Sequence, residues 1–319
     1  MSRGQDEMTG RRLAVNTTRT MAGLGAMLAA ACVLAPAAAS AQAVVKADGS
    51  YEYPKAQYKT TTEHFEALKR AAKGGTRKTG ATLPDWSGIF TRGGGAGLKF
   101  DPAQPAQDVT TAKLTPEYRT RYEKKVADVK RGVEWDRLSY CLPPGVPRWL
   151  TEPFLREFIL RPETSYLVNE MVNDVRRVYT DGRGHTPADE AYPLWNGDSI
   201  GFWDGDTLAL HTTQLREGQY QRAQPDYSDK VELVEKWRKR DADTIEADVT
   251  VYDPEALLEP WHVVQIYSRV KEPADLRIRY WSCSENNNVV NQSGATNFVL
   301  PGEAGYKDPN TLGKGPGAQ

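Results

Sequence analysis

Cysteine is scarce in this chain of 319 residues: only Cys32, Cys141 and Cys283 occur. Zinc, which favours His and Cys ligands, would have only His185 and His211 close together in sequence, with no i,i+4 pair of histidines on a helix. Calcium fares no better, because Asp198, Asp204 and Asp206 lack the alternating spacing and the closing bidentate Glu of a calcium loop. No metal is therefore expected. Long apolar runs are also missing. Beyond residue 40 no segment offers about 18 consecutive apolar residues, so no transmembrane helix is expected. Net charge is −1 with both signs interspersed, and no basic block follows the first forty residues, which speaks against nucleic acid as a partner. The run 197-GDSIG-201 matches G-x-S-x-G in letters, but it falls in the stretch 196–212 read below as a hairpin rather than in a strand-to-helix turn, and there is no Cys, His and Asn set, so the common forms of nucleophilic hydrolysis are not expected. The dinucleotide fingerprint is absent as well, and no cofactor is expected.

What is present begins with an export signal over residues 1–41. Arg11, Arg12 and Arg19 precede the apolar run 21-MAGLGAMLAAACVLAPAAAS-40, and Ala39-Ser40-Ala41 supplies a small-residue cleavage site. General secretion and twin-arginine export both remain open, since Arg11-Arg12 lacks the usual Phe-Leu continuation. The expected location is periplasmic or secreted. Cys32 is not in a lipid-anchor context, and after cleavage Cys141 and Cys283 form an even pair in an oxidising compartment. A disulfide between them is expected, with a catalytic thiol as the alternative.

About 220 to 240 residues remain for folding, enough for one substantial core. Residues 42–83 form a polar lead-in with a short helix, capped by Thr61 or Thr62 and stopped by Gly74-Gly75. A single β domain spans 84–300, and a Gly/Pro-rich disordered tail covers 301–319. In the β domain 84-PDWSGIFTR-92 is the first strand and 93-GGGAG-97 a mobile loop. A second helix is written in 115-TPEYRTRYEKKVADVKRG-132, with Thr115 as cap, Pro116 at the first helical position and Gly132 as stop. Beyond it the segments 154–160, 165–172, 174–180, 206–212, 231–239, 244–252, 261–270 and 276–283 run at strand length. Eight to nine strands with short links predict a mainly β fold: an antiparallel β-barrel first, a sandwich second, with one or two peripheral helices. Trp (8) and Tyr (15) outnumber Phe (7), a composition suited to pocket walls or to a core whose edges reach water.

The phrases 177-RVYTDGRGH-185, 198-DSIGFWDGDTLALHT-212 and 253-DPEALLEPW-261 resemble an exported bacterial hypothetical-protein family. Its signatures are R-x-I-Y-x-D-G-R-x-H and G-x-W-(D/E)-G-D-T-L, followed by a D-P…P-W segment. The chain departs from that pattern at His211, where an Asp is expected, and at Tyr227-Ser228, where His-Ser is expected. A weaker similarity links the Trp and Gly-Asp-Thr phrasing to calycin barrels such as lipocalins, and implies a barrel that takes a small hydrophobic molecule.

Alternation along a strand sorts side chains by face. In residues 231–237 the face of Val231, Leu233 and Trp237 also holds Glu235. In 174–181 the face of Val175 and Tyr179 carries Arg177. An apolar-face Glu and Arg imply each other or a ligand, since an unpaired buried charge is costly. The two readings are a structural ion pair, or Arg177 holding substrate charge while Glu235 moves a proton. Glu170, grouped with Tyr166, Val168 and Val172, is a second candidate interior carboxylate. In the loop 181-DGRGHTPADE-190, His185 is read as a general base oriented by a carboxylate such as Asp181, as a solvated His on an Asp turn, or as a metal ligand. The stretch 196–212 reads mainly as a hairpin turning at Gly205 in a type I′ turn, with Trp203 on one arm and His211 facing outward on the other. The predicted catalytic set is Glu235, His185 and Asp181. The predicted binding set is Arg177, Tyr179, Glu170, Trp203, Trp237 and His211. These residues suit acid/base chemistry on a small aromatic or isoprenoid-like molecule, such as lyase, decarboxylase or isomerase turnover. A binding or carrier protein without catalysis is the alternative.

Overall fold

The computed structural model describes residues 57–93, 112–132, 136–221, 224–273 and 275–281, together with the backbone pairings of Val44–Val45 with Tyr51–Glu52 and of Asn288–Val290 with Thr296–Phe298. The signal over 1–41, Cys32, Cys283, residues 94–97 of the glycine loop and the tail over 301–319 lie outside the described residues.

Nine strands close a barrel, numbered here in chain order: β1 (Phe90–Arg92), β2 (Arg156–Ile159), β3 (Thr164–Asn169), β4 (Asp174–Tyr179), β5 (Asp198–Asp204), β6 (Thr207–Thr213), β7 (Glu232–Asp241), β8 (Thr244–Tyr252) and β9 (Trp261–Arg269). The order around the ring is β7-β8-β9-β1-β2-β3-β4-β5-β6, and β6 pairs back onto β7. Every seam is antiparallel except β4 with β5, which run parallel with Val178 opposite Ser199 and Tyr179 opposite Ile200. An odd number of strands cannot alternate direction around a closed ring, so a wholly antiparallel arrangement is excluded. Residues 180–197 make the crossover that the parallel seam requires, and they carry His185 across the barrel wall.

Three local expectations change. The β5–β6 hairpin is present, with Asp204 opposite Thr207 and Gly205 at φ +56°. Asp206, however, is not among the positive-φ residues, so the turn has the glycine-first pattern of type II′ rather than type I′. Only Phe90–Arg92 of the expected first strand pairs. Residues 276–281 of the expected strand 276–283 join no sheet, although their sequence alternates.

Helix α1 (Thr61–Ala71) starts one residue earlier than expected, at the N-cap Thr60, whose side chain accepts from Glu63 N at 3.2 Å. It ends before Gly74 and Gly75, both at positive φ. Phe65 buries itself against the outer wall of the barrel, with its ring 5.4 Å from that of Phe202 and 5.4 Å from that of His211. Helix α2 (Pro116–Lys130) begins with Pro116 as expected, but Thr115 does not cap it by side chain; its Oγ1 donates to Glu255 O at 2.8 Å. Tyr118, Tyr122 and Val126 give α2 its buried face. Neither helix, nor any other among the described residues, is long and apolar enough to cross a membrane.

The barrel interior is filled by side chains. Trp237 stacks on Tyr267 at 5.4 Å, and Phe158, Trp149 and Leu233 are buried with them. The segment around Trp149 is buried in the same core, and its carbonyls are all taken by side chains. Thr151 Oγ1 bonds Arg148 O at 3.0 Å, Arg156 Nη2 bonds Trp149 O at 2.6 Å, Tyr267 OH bonds Leu150 O at 2.9 Å and Arg92 Nη1 bonds Thr151 O at 2.8 Å. A buried loop must satisfy its backbone groups, and here three of the four donors, Arg92, Arg156 and Tyr267, come from the barrel wall. The tryptophans and tyrosines thus serve largely as core. Cys141 is disulfide-bonded.

Candidate functional site

Inside the barrel, β7 turns Leu233, Glu235 and Trp237 inward as the alternation predicts, all three at 0% exposure. The partner of Glu235 is Arg176, not Arg177. Arg176 Nη1 donates to Glu235 Oε2 at 3.0 Å and Nη2 to Oε1, and the same guanidinium reaches Thr212 Oγ1 at 2.6 Å and Ser199 Oγ at 3.3 Å. Trp237 Nε1 adds a bond to Glu235 Oε2 at 2.9 Å. Arg177 lies on the opposite, outer face, exposed, with its guanidinium 6.0 Å from the Tyr166 ring. Two consecutive arginines made the face of β4 ambiguous. Val175 and Tyr179 favoured one face, yet Val178, with Arg176, is the fully buried residue. Glu170 is likewise outside, half-buried, accepting from Arg279 N at 3.0 Å, because Ser165, Leu167 and Asn169 are the inward residues of β3. The interior therefore holds a sealed, bidentate ion pair with every acceptor engaged, the structural alternative weighed for Glu235.

The reactive groups gather on the outer wall. His211 faces outward from β6, opposite Val234 of β7 and Ile200 of β5, and α1 covers it to 5% exposure. The crossover brings His185 down beside it. His185 Nε2 is 3.1 Å from His211 Nδ1, and His185 Nδ1 is 3.2 Å from Asp198 Oδ2. Asp198 Oδ2 also accepts Thr186 N at 2.7 Å, which fixes the carboxylate. On the far side, His211 Nε2 lies 3.8 Å from Glu232 Oε2, and Thr61 Oγ1 of α1 donates to that same oxygen. The result is a line of groups, Asp198, His185, His211, Glu232 and Thr61. Burial, then the neighbouring His211, lowers the His185 pKa below its ordinary value, so the imidazole is neutral near pH 7. Burial pushes Glu232 upward, but His211 and Thr61 outweigh it and hold the carboxyl below its usual range.

Asp181, expected to orient His185, instead pairs with Arg183, its Oδ2 accepting from Nη2 at 2.6 Å. Asp198 takes the orienting role, because the parallel seam starts β5 beside the crossover loop. The chain's two other histidines share this wall. His64 of α1 is 3.1 Å from Tyr252 OH and stacks on Tyr58 at 4.8 Å, and burial, then Lys236, lowers its pKa to about 4. His262 contacts Asp248 through Nε2, and Asp248 holds Lys236 Nζ at 3.1 Å. Sequence reading missed His64 on α1, and it missed Glu232, Lys236, Asp248 and His262 because outward positions of a strand read as solvent-facing. The available signal was α1, whose Thr61, Phe65 and Leu68 spacing needs a surface to cover.

Next to the histidine pair, a cleft of about 240 Å³ lies between the C-terminal end of α1, residues 74–78, the start of the crossover and β5. Phe65, Ile200 and Phe202 are its apolar lining, and its charged lining is Lys69, Arg77, Lys78 and Arg183 with the carboxylates Glu163 and Asp181, the last paired with Arg183. Phe65 both lines the cleft and packs on His211. Among the predicted residues Asp181 and Trp203 line this cleft, His185 and His211 stand beside it, Tyr179 lies outside under Arg183 at 4.2 Å, and Glu235 and Trp237 are inside the barrel. No group of three or more His, Cys, Asp or Glu among the described residues is placed to hold a metal ion. Comparison with protein-family models and with curated proteins finds no match to the chain.

Proposed function

We propose that this chain is an exported acid/base enzyme acting on a small, largely apolar molecule with an anionic group, held in the cleft under α1. The observation that carries the reading is the Asp198–His185–His211 line. A carboxylate on Nδ1 orients an imidazole and stabilises its protonated form, which is what a general base needs. A proton arriving at His185 is shared with His211 and balanced by Asp198 on one side and Glu232 on the other. The substrate's apolar body rests on Phe65 and Phe202, and its anionic group meets Lys69, Arg77 or Arg183. Proton removal and return on such a substrate is the common step of isomerisation, elimination and decarboxylation.

Mass spectrometry of small molecules that co-purify with the exported protein supplies the candidate substrate, and turnover is then measured on it. His185→Gln is expected to lower kcat by about 10² or more with little change in affinity. Arg183→Ala is expected to weaken binding instead. The second reading, a carrier without catalysis, draws on the fact that both ring nitrogens of His185 are already engaged inside the protein and that His185 does not line the cleft. Bound ligand recovered unchanged, with affinity unaffected by His185→Gln, would favour it.

A further inference from the structure

A second pocket, of about 280 Å³, adjoins the segment around Trp149, and none of its lining residues lines the cleft under α1. Leu138, Phe154, Met171, Val172 and Trp281 make its wall predominantly apolar, and Arg148, Asp136 and Glu152 lie in its lining. These three charges are almost fully buried, at 1%, 6% and 4% exposure. Arg148 binds both oxygens of Asp136, at 2.8 and 3.0 Å, and contacts Glu152 Oε1 through Nε. Asp136 Oδ1 further accepts Leu138 N at 3.0 Å. Glu152 Oε2 takes no hydrogen bond from any described residue. That oxygen keeps some solvent access at the pocket wall, so it is an acceptor open to whatever occupies the pocket.

The charge around the pocket decides what kind of donor fits. Arg148 between two carboxylates leaves one negative charge, but two further buried guanidinia stand behind them. Arg137 lies close enough to Asp136, and Arg156 to Glu152, for their charges to interact, and the two arginines stack on Trp195 at 5.0 Å and Trp149 at 4.9 Å. With Asp226 acting on Arg137 and Arg92 on Arg156, four guanidinia stand against three carboxylates, which leaves no demand for a further cation. The donor that suits this acceptor is neutral.

The wall is also built rather than incidental. Asn173 clamps the backbone of Trp281 with both ends of its amide, Nδ2 donating to Trp281 O at 2.9 Å and Oδ1 accepting Trp281 N at 2.9 Å. Trp281 meets Phe154 edge-on at 5.0 Å. To hold this clamp the chain passes through Val172 at φ +48° and Asn173 at φ +54°. The left-handed region is unfavourable for a β-branched residue, and such strain concentrates at ligand-binding positions.

We infer that this pocket binds a small uncharged molecule with an apolar body and one hydroxyl, the hydroxyl donating to Glu152 Oε2 and the body lying against Phe154, Met171 and Trp281. The volume suits a molecule of one or two rings. The inference stands apart from the cleft under α1 and does not depend on it.

Calorimetry with the full chain and four probes tests it: 2-naphthol, naphthalene, 2-naphthoate and 2-naphthylmethylammonium. The expected result is one site for 2-naphthol, with affinity about tenfold or more above naphthalene and above both ions. Leu138→Trp, which fills the pocket without touching the charges, is expected to abolish 2-naphthol binding while leaving the thermal midpoint near wild type. Glu152→Gln is expected to shrink the preference for 2-naphthol over naphthalene to about threefold or less, and Asn173→Ala to speed dissociation several-fold. Arg183→Ala in the other cleft is expected to change nothing. The inference is overturned by absence of 2-naphthol binding to folded wild type at about 1 mM. It is also overturned by binding that survives Leu138→Trp, by equal affinity for naphthalene, or by tighter binding of the ammonium probe.

Discussion

Arg176→Ala and Arg177→Ala differ by one position in sequence and by a whole barrel wall in space. Arg176 is fully buried, with its guanidinium bonded twice to Glu235 and also to Thr212 and Ser199. Removing it strips both oxygens of Glu235 of their cation and leaves a carboxylate with only Trp237 Nε1 as donor. Breaking a buried pair from one side costs about 3 to 5 kcal/mol, because the remaining charge has neither water nor partner. Arg177 is exposed beside Tyr166, so its removal is expected to change stability by no more than about 0.5 kcal/mol. Replacing both partners, as in Arg176→Met with Glu235→Met, is expected to recover most of the loss, since the pair's own net contribution is small once desolvation is counted. Urea denaturation followed by tryptophan fluorescence gives the three free energies, with slopes compared to exclude a change in the unfolded state. A cost below about 1 kcal/mol for Arg176→Ala, or equal costs for the two alanines, would refute the assignment of faces on β4.

Acidification should weaken the protein through His64. Its folded pKa of about 4 lies below the unfolded 6.5, so its contribution is fully present above pH 6.5 and is lost as pH falls toward 4. The loss amounts to up to about 3 kcal/mol, and His64→Gln is expected to flatten that part of the stability-against-pH curve. Gly197 sits at φ +65°, and an added Cβ would lie 2.5 Å from Thr213 O, so Gly197→Ala is expected to cost about 2 to 3 kcal/mol in the same denaturation assay. Val172→Gly is expected to raise stability by about 1 kcal/mol by removing strain at φ +48°, and an unchanged or lower midpoint would mean the side chain's packing outweighs it. Non-reducing peptide mapping is expected to join the Cys141 and Cys283 peptides, and two free thiols would end that pairing.

Much of the fold was legible where pattern and burial agree. On β7, Leu233 and Trp237 bracket Glu235 at period two, and the structure turns all three inward. Thr115, Pro116 and Gly132 mark the ends of α2 to within two residues. Legibility failed where two neighbours compete for one face, as at Arg176 and Arg177, and where a pattern has no partner to pair with. Residues 276–281 alternate like a strand, yet the ring is already closed by β6 and β7, and Tyr280 is left 84% exposed. His185 could be seen as an acid/base candidate, but not its carboxylate. Asp181 is four residues away in sequence; Asp198 is brought near only by the parallel seam, which follows from an odd strand count and cannot be read from any local window.

Both polar centres hang on β7, and that shapes how any loss of activity must be read. Its alternation sends Glu235 inward to Arg176 and sends Glu232 and Lys236 outward to the wall under α1. Glu235 neighbours Leu210 of β6, and Leu210 is adjacent in sequence to His211. A change at Glu235 that loosens the inner pair therefore shifts the strand that presents His211, and under the proposed enzymatic reading turnover would fall although Glu235 lies inside the barrel, away from the cleft. Stability separates the cases. An effect carried through the inner pair scales with unfolding free energy and is relieved by replacing Arg176 as well, whereas an effect at His185 or Glu232 leaves the unfolding free energy nearly intact and remains when the core is restored.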